Sequence, residues 1–494
     1  MAGYTRARYY TNESTNFRLL TEQQCARIYH AALEILERTG AKVFNKEALE
    51  TLKKGGARVE GELARIPVGL SEWAVRTAPS QVLLWDRNGE DRLVLEGNNT
   101  YFGPGPTNTY HIDPFSEQRR RPILKDTENV AKVCDALPNI DFVEDLGTPT
   151  GVTTNLSDVY AFSAMVKNTK KPIVHWGFDT DQYQDMLDIA AAVKGDIEEL
   201  QKRPFVALYS EPSSPLMHSN EAIGKAIFAA RNKIPIVYTP CNIAGATDPA
   251  TLAGTLALGV AECLVGIVVT QLLREGTPII MGGVYGIMDM HSTVFSYGSP
   301  EFMQLQAGIA EVAHYMNLPV FGTAGCTDSH ALDAQAAAEA AMSILVAIEA
   351  GANLVHDVGY TGFGGAGSIF QLVMGDEIVG MVRRIVRGIE VDEETLALED
   401  IDRAGPGGEF LSSVHTYKHF KTETWFPTLF NRMRYNDWKA AGGTSMGDRI
   451  KEKARQLISE YHPPALPDKV VREIDQIIRK AEQREAKRAT VRKK

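Results

Sequence analysis

Cysteine is scarce and scattered in this 494-residue chain: Cys25, Cys134, Cys241, Cys263 and Cys326 stand far apart, with no CxxC or other metal-ligand spacing. That argues against a disulfide scaffold and a thiolate zinc centre, and for free thiols in a reducing compartment. A basic excess is also missing. With 62 Asp and Glu against 52 Lys and Arg the formal charge is -10, which argues against general nucleic-acid binding. The opening "MAGYTRARYYTNESTNFRLLTEQQ" lacks an apolar export core, so the cytoplasm is the expected compartment. The longest apolar run, "TLAGTLALGVAECLVGIVVTQLL", carries Glu262 in its middle and reads as a buried helix rather than a membrane span.

What remains is the composition of a folded globular protein, 44% hydrophobic and 23% charged. Thr21 and Gln24 form a capping box ahead of an apolar stripe at Ile28, Ala32, Ile35 and Leu36 that ends at Gly40. Shorter helical patterns follow at 46–54 and 69–77. "QVLLWDR" and "DRLVLEG" flank Asn88-Gly89, the signature of a type I′ hairpin. "TYFGPGPTNTYHID" reads as a shaped loop closing this unit. Residues 1–135 are therefore expected to be an α+β extension, 136–420 a barrel, and 421–494 a helical segment with a basic tail. The tail, "RKAEQREAKRATVRKK", reads as a solvated helix end.

From residue 140 a unit recurs: a β-branched or aromatic run, a glycine-rich or polar loop, then an alanine-rich helix. The runs are "IDFVEDLG", "PIVHWGF", "PFVALYSEP", "PIVYTPCN", "PIIMGGVYG", "PVFGTAGCTDS", "ANLVHDVGY" and "EFLSSVHTY". Pro172, Pro204, Pro235, Pro278 and Pro319 open strands where a missing N–H is tolerated. Eight similar units predict an α/β fold, a (β/α)8 TIM barrel. An open doubly wound sheet lacks support, because no strand leads into a GxGxxG turn; "GFGGAG" after Tyr360 is only an isolated glycine run.

In such a barrel the strand ends and following loops build the active face. They supply Glu144, Asp145, His175, Trp176, Tyr209, Glu211, Tyr238, Asn242, Tyr285, Thr327, Asp328, His330, His356, Tyr360, Phe363 and His415. Aromatic rings with few cations suit a quaternary ammonium, at about 0.5–2 kcal/mol per contact. A metal-dependent hydrolase or lyase is the competing reading, although the histidines come singly, without HxH or HExxH spacing. A non-catalytic betaine-binding protein is a third.

The blocks "GTAGCTDSHALDAQAAAEAAMSILVAIEAGANLVHDVGY" and "GVYGIMDMHSTVFSYGSPE", with the chain length and element order, resemble the trimethylamine methyltransferase superfamily. Every residue here is standard, which is similar to the non-pyrrolysine branch that includes the glycine betaine methyltransferase. The resemblance implies methyl transfer from a quaternary amine, glycine betaine first, to the Co(I) of a corrinoid (cobalamin) on a separate carrier protein, with no metal of the chain's own. Trp176, Tyr209, Tyr285, Tyr360 and Phe363 are then the expected cage walls. His356, His330 and Asn242 are the expected donors to a substrate carboxylate. Glu211 and Asp328 would balance the ammonium or orient those donors, and with His356 they form the expected catalytic set. A transient carrier interface at the mouth is implied, and a homo-oligomer is possible.

Overall fold

The computed structural model describes residues 18–492. Seven short strands form one all-parallel curled sheet in the order Ile173–Trp176, Val206–Ser210, Ile236–Tyr238, Ile279–Gly282, Val320–Thr323, Leu354–His356 and Tyr101–Phe102. Residues 141–143 fill the gap between the two edges. The amides of Asp141 and Phe142 donate to the Phe102 carbonyl at 2.6 and 3.3 Å, while Val143 donates to the Pro172 carbonyl at 2.9 Å and accepts from the Val174 amide at 3.0 Å. The barrel is thereby closed with eight staves.

Two parts of the expected barrel change. Its first stave, Tyr101–Phe102, comes from the stretch read as a loop and lies inside the expected 1–135 extension; the amides of Tyr101 and Gly103 pair with the carbonyls of Asn353 and Val355. The run "EFLSSVHTY" is no strand. Ser413 caps the helix Val414–Glu423 by accepting from the Thr416 amide, so this local hydrogen bond wins over the β-branched character of the run. His415 consequently lies on a helix away from the mouth.

The prolines act as the sequence suggests. Pro172, Pro235, Pro278 and Pro319 immediately precede strands, and each carbonyl accepts a bond from a neighbouring barrel segment. Pro204 lies two residues ahead of its strand and accepts from Trp85. Trp85 belongs to the hairpin Val82–Trp85 and Arg92–Leu95. Val82, Leu84 and Leu95 of this hairpin pack against the inward residues Tyr101, Phe142, Val174, Ala207, Val237, Ile280, Phe321 and Leu354, closing the end where the strands begin. Its turn is not type I′: Gly89 has φ +80°, but Asn88 is not left-handed, and a longer loop joins Asp86 to Asp91, whose carbonyl accepts from the Asp86 amide.

The capping box at Thr21 and Gln24 opens the helix Glu22–Glu34, which a π-helical turn, Ile35–Thr39, carries to Gly40. Helices Lys46–Lys54 and Val68–Thr77 follow. All three pack on Leu252–Leu273, the long apolar helix, which is 78% buried over its most apolar window. Its Glu262 accepts from the Leu216 amide, Ser214 Oγ and Asn242 Nδ2 at 2.7, 2.8 and 3.0 Å. After Ile369–Val386 the chain leaves the barrel, returns as Met446–Glu460, breaks at "YHPPALPD" and ends in Asp468–Arg492.

Candidate active site

Strand periodicity builds the site. Two residues beyond each inward core residue the chain faces inward again, which places Gly103, Glu144, Trp176, Tyr209, Thr239, Gly282, Thr323 and His356 in the next ring. Phe321 and Tyr209 have ring centroids 5.1 Å apart, and His356 packs 4.2 Å from Phe321 and edge-on to Tyr209 at 5.9 Å. Trp176, Glu211 and Cys241 are only partly buried and mark the open side.

The centre is acidic. His356 Nδ1 stands 3.0 Å from Asp357 Oδ1 and 3.4 Å from Glu144 Oε2, with all three side chains 1–2% exposed. Its Nε2 pairs with Thr323 Oγ1 at 3.1 Å. Both oxygens of Glu144 and of Asp357, and Nδ1 of His356, lack a well-directed hydrogen bond. Tyr209 donates to Glu211 at 2.7 Å. Burial, reinforced by Asp357, Asp145 and Glu211, holds the Glu144 carboxyl well above its ordinary pKa. Burial does the same to Asp357, opposed by the Tyr297 and Tyr360 hydroxyls. Asp145, which accepts from the Thr107 and Gly147 amides, is pushed by burial to about 6. Burial lowers His356 to about 3, leaving a neutral ring.

Asp357 adopts φ +70°, uncommon for a residue with a side chain. Opposite it, a Cβ on Gly105 would come within 1.9 Å of Asp357 Oδ1 and 2.6 Å of the Tyr360 ring, so only glycine fits there. Tyr360 donates to the Pro106 carbonyl and stands edge-on to Tyr297 at 6.0 Å. Cys241 and Cys326 also adjoin the acidic centre. Burial, reinforced by nearby acids including Asp357, keeps both thiols protonated, so neither is a nucleophile here.

His356, Glu211, Tyr209 and Tyr360 therefore come together as expected. Trp176 joins the ring, but Lys225 Nζ already stands 4.7 Å over its indole and is tied to the Gly177 carbonyl. Asp328 serves the mouth indirectly: its carboxylate accepts from Ser296 Oγ and from the amides of Tyr297 and Gly298 at 2.6–3.0 Å. His330 and Phe363 form an exposed edge-on pair at 5.5 Å.

Asn242 and Tyr285 do not join the site. Asn242 Nδ2 is spent on Ser214, Asp248 and Glu262. Tyr285 points at Gly259, where a Cβ would lie 2.3 Å from its ring, and donates to the Gly282 carbonyl. Their strand Cys241–Ala244 and its partner Val284–Met288 form a second small sheet outside the barrel, so a barrel-strand reading misassigns the face these residues use. His175 and Tyr238 likewise face outward, His175 onto Phe162 and Tyr238 onto His218.

The assignments missed Asp357, Tyr297, Thr323, Cys241 and Cys326, and gave Glu144 no role. Counting by twos from Phe142 finds Glu144, and from Phe321 finds Thr323. Asp357 carries no such signal, because its side chain is aimed by a left-handed backbone.

An aromatic, carboxyl-rich barrel mouth has the chemistry to hold an organic cation. The chain matches the family described as Trimethylamine methyltransferase (MTTB) over residues 2–486, and it belongs to that family of methyltransferases. It is 34% identical over 464 residues to the trimethylamine methyltransferase MttB of Desulfitobacterium hafniense strain DCB-2, covering 94% of this chain and 93% of that one. It is 31% identical over 456 residues to the glycine betaine methyltransferase of strain Y51 of the same species, covering 92% and 95%. Among solved structures, the Methanosarcina barkeri monomethylamine methyltransferase aligns over 91% of this chain and 96% of its own, with a TM-score of 0.49 and 11% identity.

Proposed function

We propose that this enzyme moves a methyl group from a quaternary amine, bound in the barrel mouth, to the Co(I) of a corrinoid presented by a separate carrier protein. The observation that carries this reading is the pair of buried carboxyl groups of Glu144 and Asp357, which have no cationic partner and no well-directed hydrogen bond, beside the rings of Tyr209, Phe321, Tyr297 and Tyr360. A methylated ammonium has no N–H to donate, so it is recognised by charge and by ring faces. Such a site is built for it.

The two protonated thiols support an acceptor from outside the chain. Co(I), when presented by the carrier, is a strong nucleophile. The amine keeps the electron pair of the broken N–C bond and leaves as a neutral tertiary amine, so no side chain has to protonate it. The work left to these residues is to bind and orient the ammonium. A cleft of about 850 Å³ lies beside the mouth, lined by Asp158, Phe178, Gln182 and Lys487 among others, and Phe178 stands edge-on to Trp176 at 4.5 Å. The carrier approaches on this side.

Glycine betaine is the first substrate to try. Its ammonium would face an ionised carboxyl group, and its carboxylate would meet a protonated one or the neutral His356, each able to donate. The test supplies purified enzyme, reduced corrinoid carrier and a panel of glycine betaine, carnitine, choline and tetramethylammonium, and follows the loss of Co(I) absorbance. Methyl transfer from one member is expected. If no member transfers while the Co(I) is shown to persist, the reading is wrong.

A further inference from the structure

The helix Asn220–Asn232, "NEAIGKAIFAARN", turns Ala222, Ala226 and Ala229 inward, and Lys225 lies in the same buried stripe. Lys225 is 3% exposed and is the only buried lysine among the described residues. Taking an ammonium out of water is expensive, and the hydrogen bond this one makes is to a neutral group. Its Nζ donates to the Gly177 carbonyl and stands 4.7 Å from the centre of the Trp176 indole and 5.9 Å from that of the Tyr183 ring. A methionine would fill this space without the cost, so what the lysine adds is charge, set over an indole.

The surroundings are fitted to that position. A Cβ on Gly177 would come within 2.7 Å of the Tyr183 ring, so this close approach needs glycine. Tyr183 donates to the Tyr209 carbonyl at 2.9 Å, and Asp158 accepts from the Phe178 amide at 2.7 Å. The segment that follows Trp176 is thus fixed from both sides. Burial lowers Lys225 to about 8, and the charges of Glu211, Asp158, Glu221 and Asp179 limit the fall. The group is an ammonium at neutral pH.

We propose that Lys225 is a positioning residue of the mouth, a built-in cation that occupies the Trp176 face and so confines the substrate's ammonium to the side of Glu144 and Asp357. The inference rests on the proposed reaction for the identity of the cation that is confined. Indole is the best of the aromatic platforms for a cation, and Trp176 belongs to the stave next to that of Glu144. Left open, its face would compete with the two acids for a methylated ammonium and hold the methyl groups away from the acceptor. With Lys225 on it, like charges repel and one productive placement remains.

The test uses the full-length enzyme, wild type and Lys225→Met, with Trp176→Phe made in each to isolate the indole signal. Methionine keeps the length and removes the charge, and replacing buried charge with an apolar side chain of similar volume is often neutral for stability; the urea midpoint verifies the fold. The Trp176 fluorescence of the wild type should change with a midpoint near pH 8 as Lys225 loses its proton, and Lys225→Met should lack that step. Below the step, tetramethylammonium should leave the Trp176 signal of the wild type unchanged and alter that of Lys225→Met. In turnover the variant should lose about tenfold or more in kcat while KM stays level or falls, as unproductive binding requires. A wild-type Trp176 signal that is flat through this pH range overturns the inference. So does a variant whose KM rises at unchanged kcat, or one with wild-type kinetics. Failure of the proposed reaction looks different: a wild type that shows the pH step yet binds and demethylates none of the amines keeps Lys225 on Trp176 and removes the reaction.

Discussion

Two sets of buried carboxyl groups in this protein are treated in opposite ways. Glu262, inside the long apolar helix, receives three hydrogen bonds, from Leu216, Ser214 and Asn242. Glu144 and Asp357, at the barrel mouth, receive no well-directed bond and face each other across His356. Burial raises Glu262 to about 7, its three donors holding the rise back, whereas Glu144 goes well above its ordinary range with neighbouring negative charge adding to burial. A satisfied buried acid ties elements together. An unsatisfied one is retained at a cost in stability, which the proposed cationic substrate would relieve.

The comparison breaks most clearly at Glu144→Gln. Loss of one anionic partner to a desolvated ammonium should lower kcat/KM by about 30-fold, roughly 2 kcal/mol, with the fold intact. Because the folded-state pKa of Glu144 is raised, its contribution to stability is full below the ordinary carboxyl range and is lost as pH climbs above it. The variant should therefore lose less thermal stability than wild type between pH 5 and pH 8. A variant that is inactive because it unfolds would make Glu144 structural. In the same pH range, wild-type affinity for a quaternary amine should tighten as pH rises, since the bound cation favours the ionised acids, by up to about tenfold per unit for each proton released. Calorimetry in buffers of different ionisation heat reads that release directly. An affinity flat in pH would mean that the acids do not face the cation.

Glu262→Ala should invert this pattern. It orphans three donors in a closed site, so stability should fall by about 3 kcal/mol, seen as a lower urea midpoint. At a temperature where the variant stays folded, the KM for the amine should remain within about twofold of wild type. A large KM change with little loss of stability would place the Asn242 network in the substrate site after all.

How far the sequence reveals this contrast depends on what aims each side chain. The barrel is legible because five prolines and repeated β-branched runs mark its strands, and Tyr209, Trp176 and His356 follow from strand ends. The first stave escapes because two residues between glycine-rich turns carry no period; only pairing with Leu354–His356 makes them a strand. Asn242 and Tyr285 mislead because their strands form an outer sheet, which turns the same alternation toward helix 252–273. Asp357 and Tyr297 escape because a left-handed residue and a non-barrel hairpin bring them in. These placements belong to tertiary structure, and no local pattern encodes them.

Asp328 sharpens the comparison at smaller scale, because it is a satisfied acid that acts on an unsatisfied one through Tyr297. Asp328→Asn keeps its size but replaces one acceptor oxygen with a donor facing the amides and hydroxyl of Ser296–Gly298, releasing the turn that aims Tyr297 at Asp357. About 1 kcal/mol of lost positioning corresponds to roughly five- to tenfold in kcat. Tyr285→Phe is the control with the least expected effect, since its hydroxyl meets the Gly282 carbonyl at 3.2 Å and the Cys263 thiol on the side turned toward helix 252–273; steady-state kinetics should change by less than about twofold, and stability by about 1 kcal/mol. If Tyr285→Phe matched Asp328→Asn in kinetics, the outer sheet would be coupled to the mouth, and the division between satisfied and unsatisfied acids would no longer separate scaffold from site.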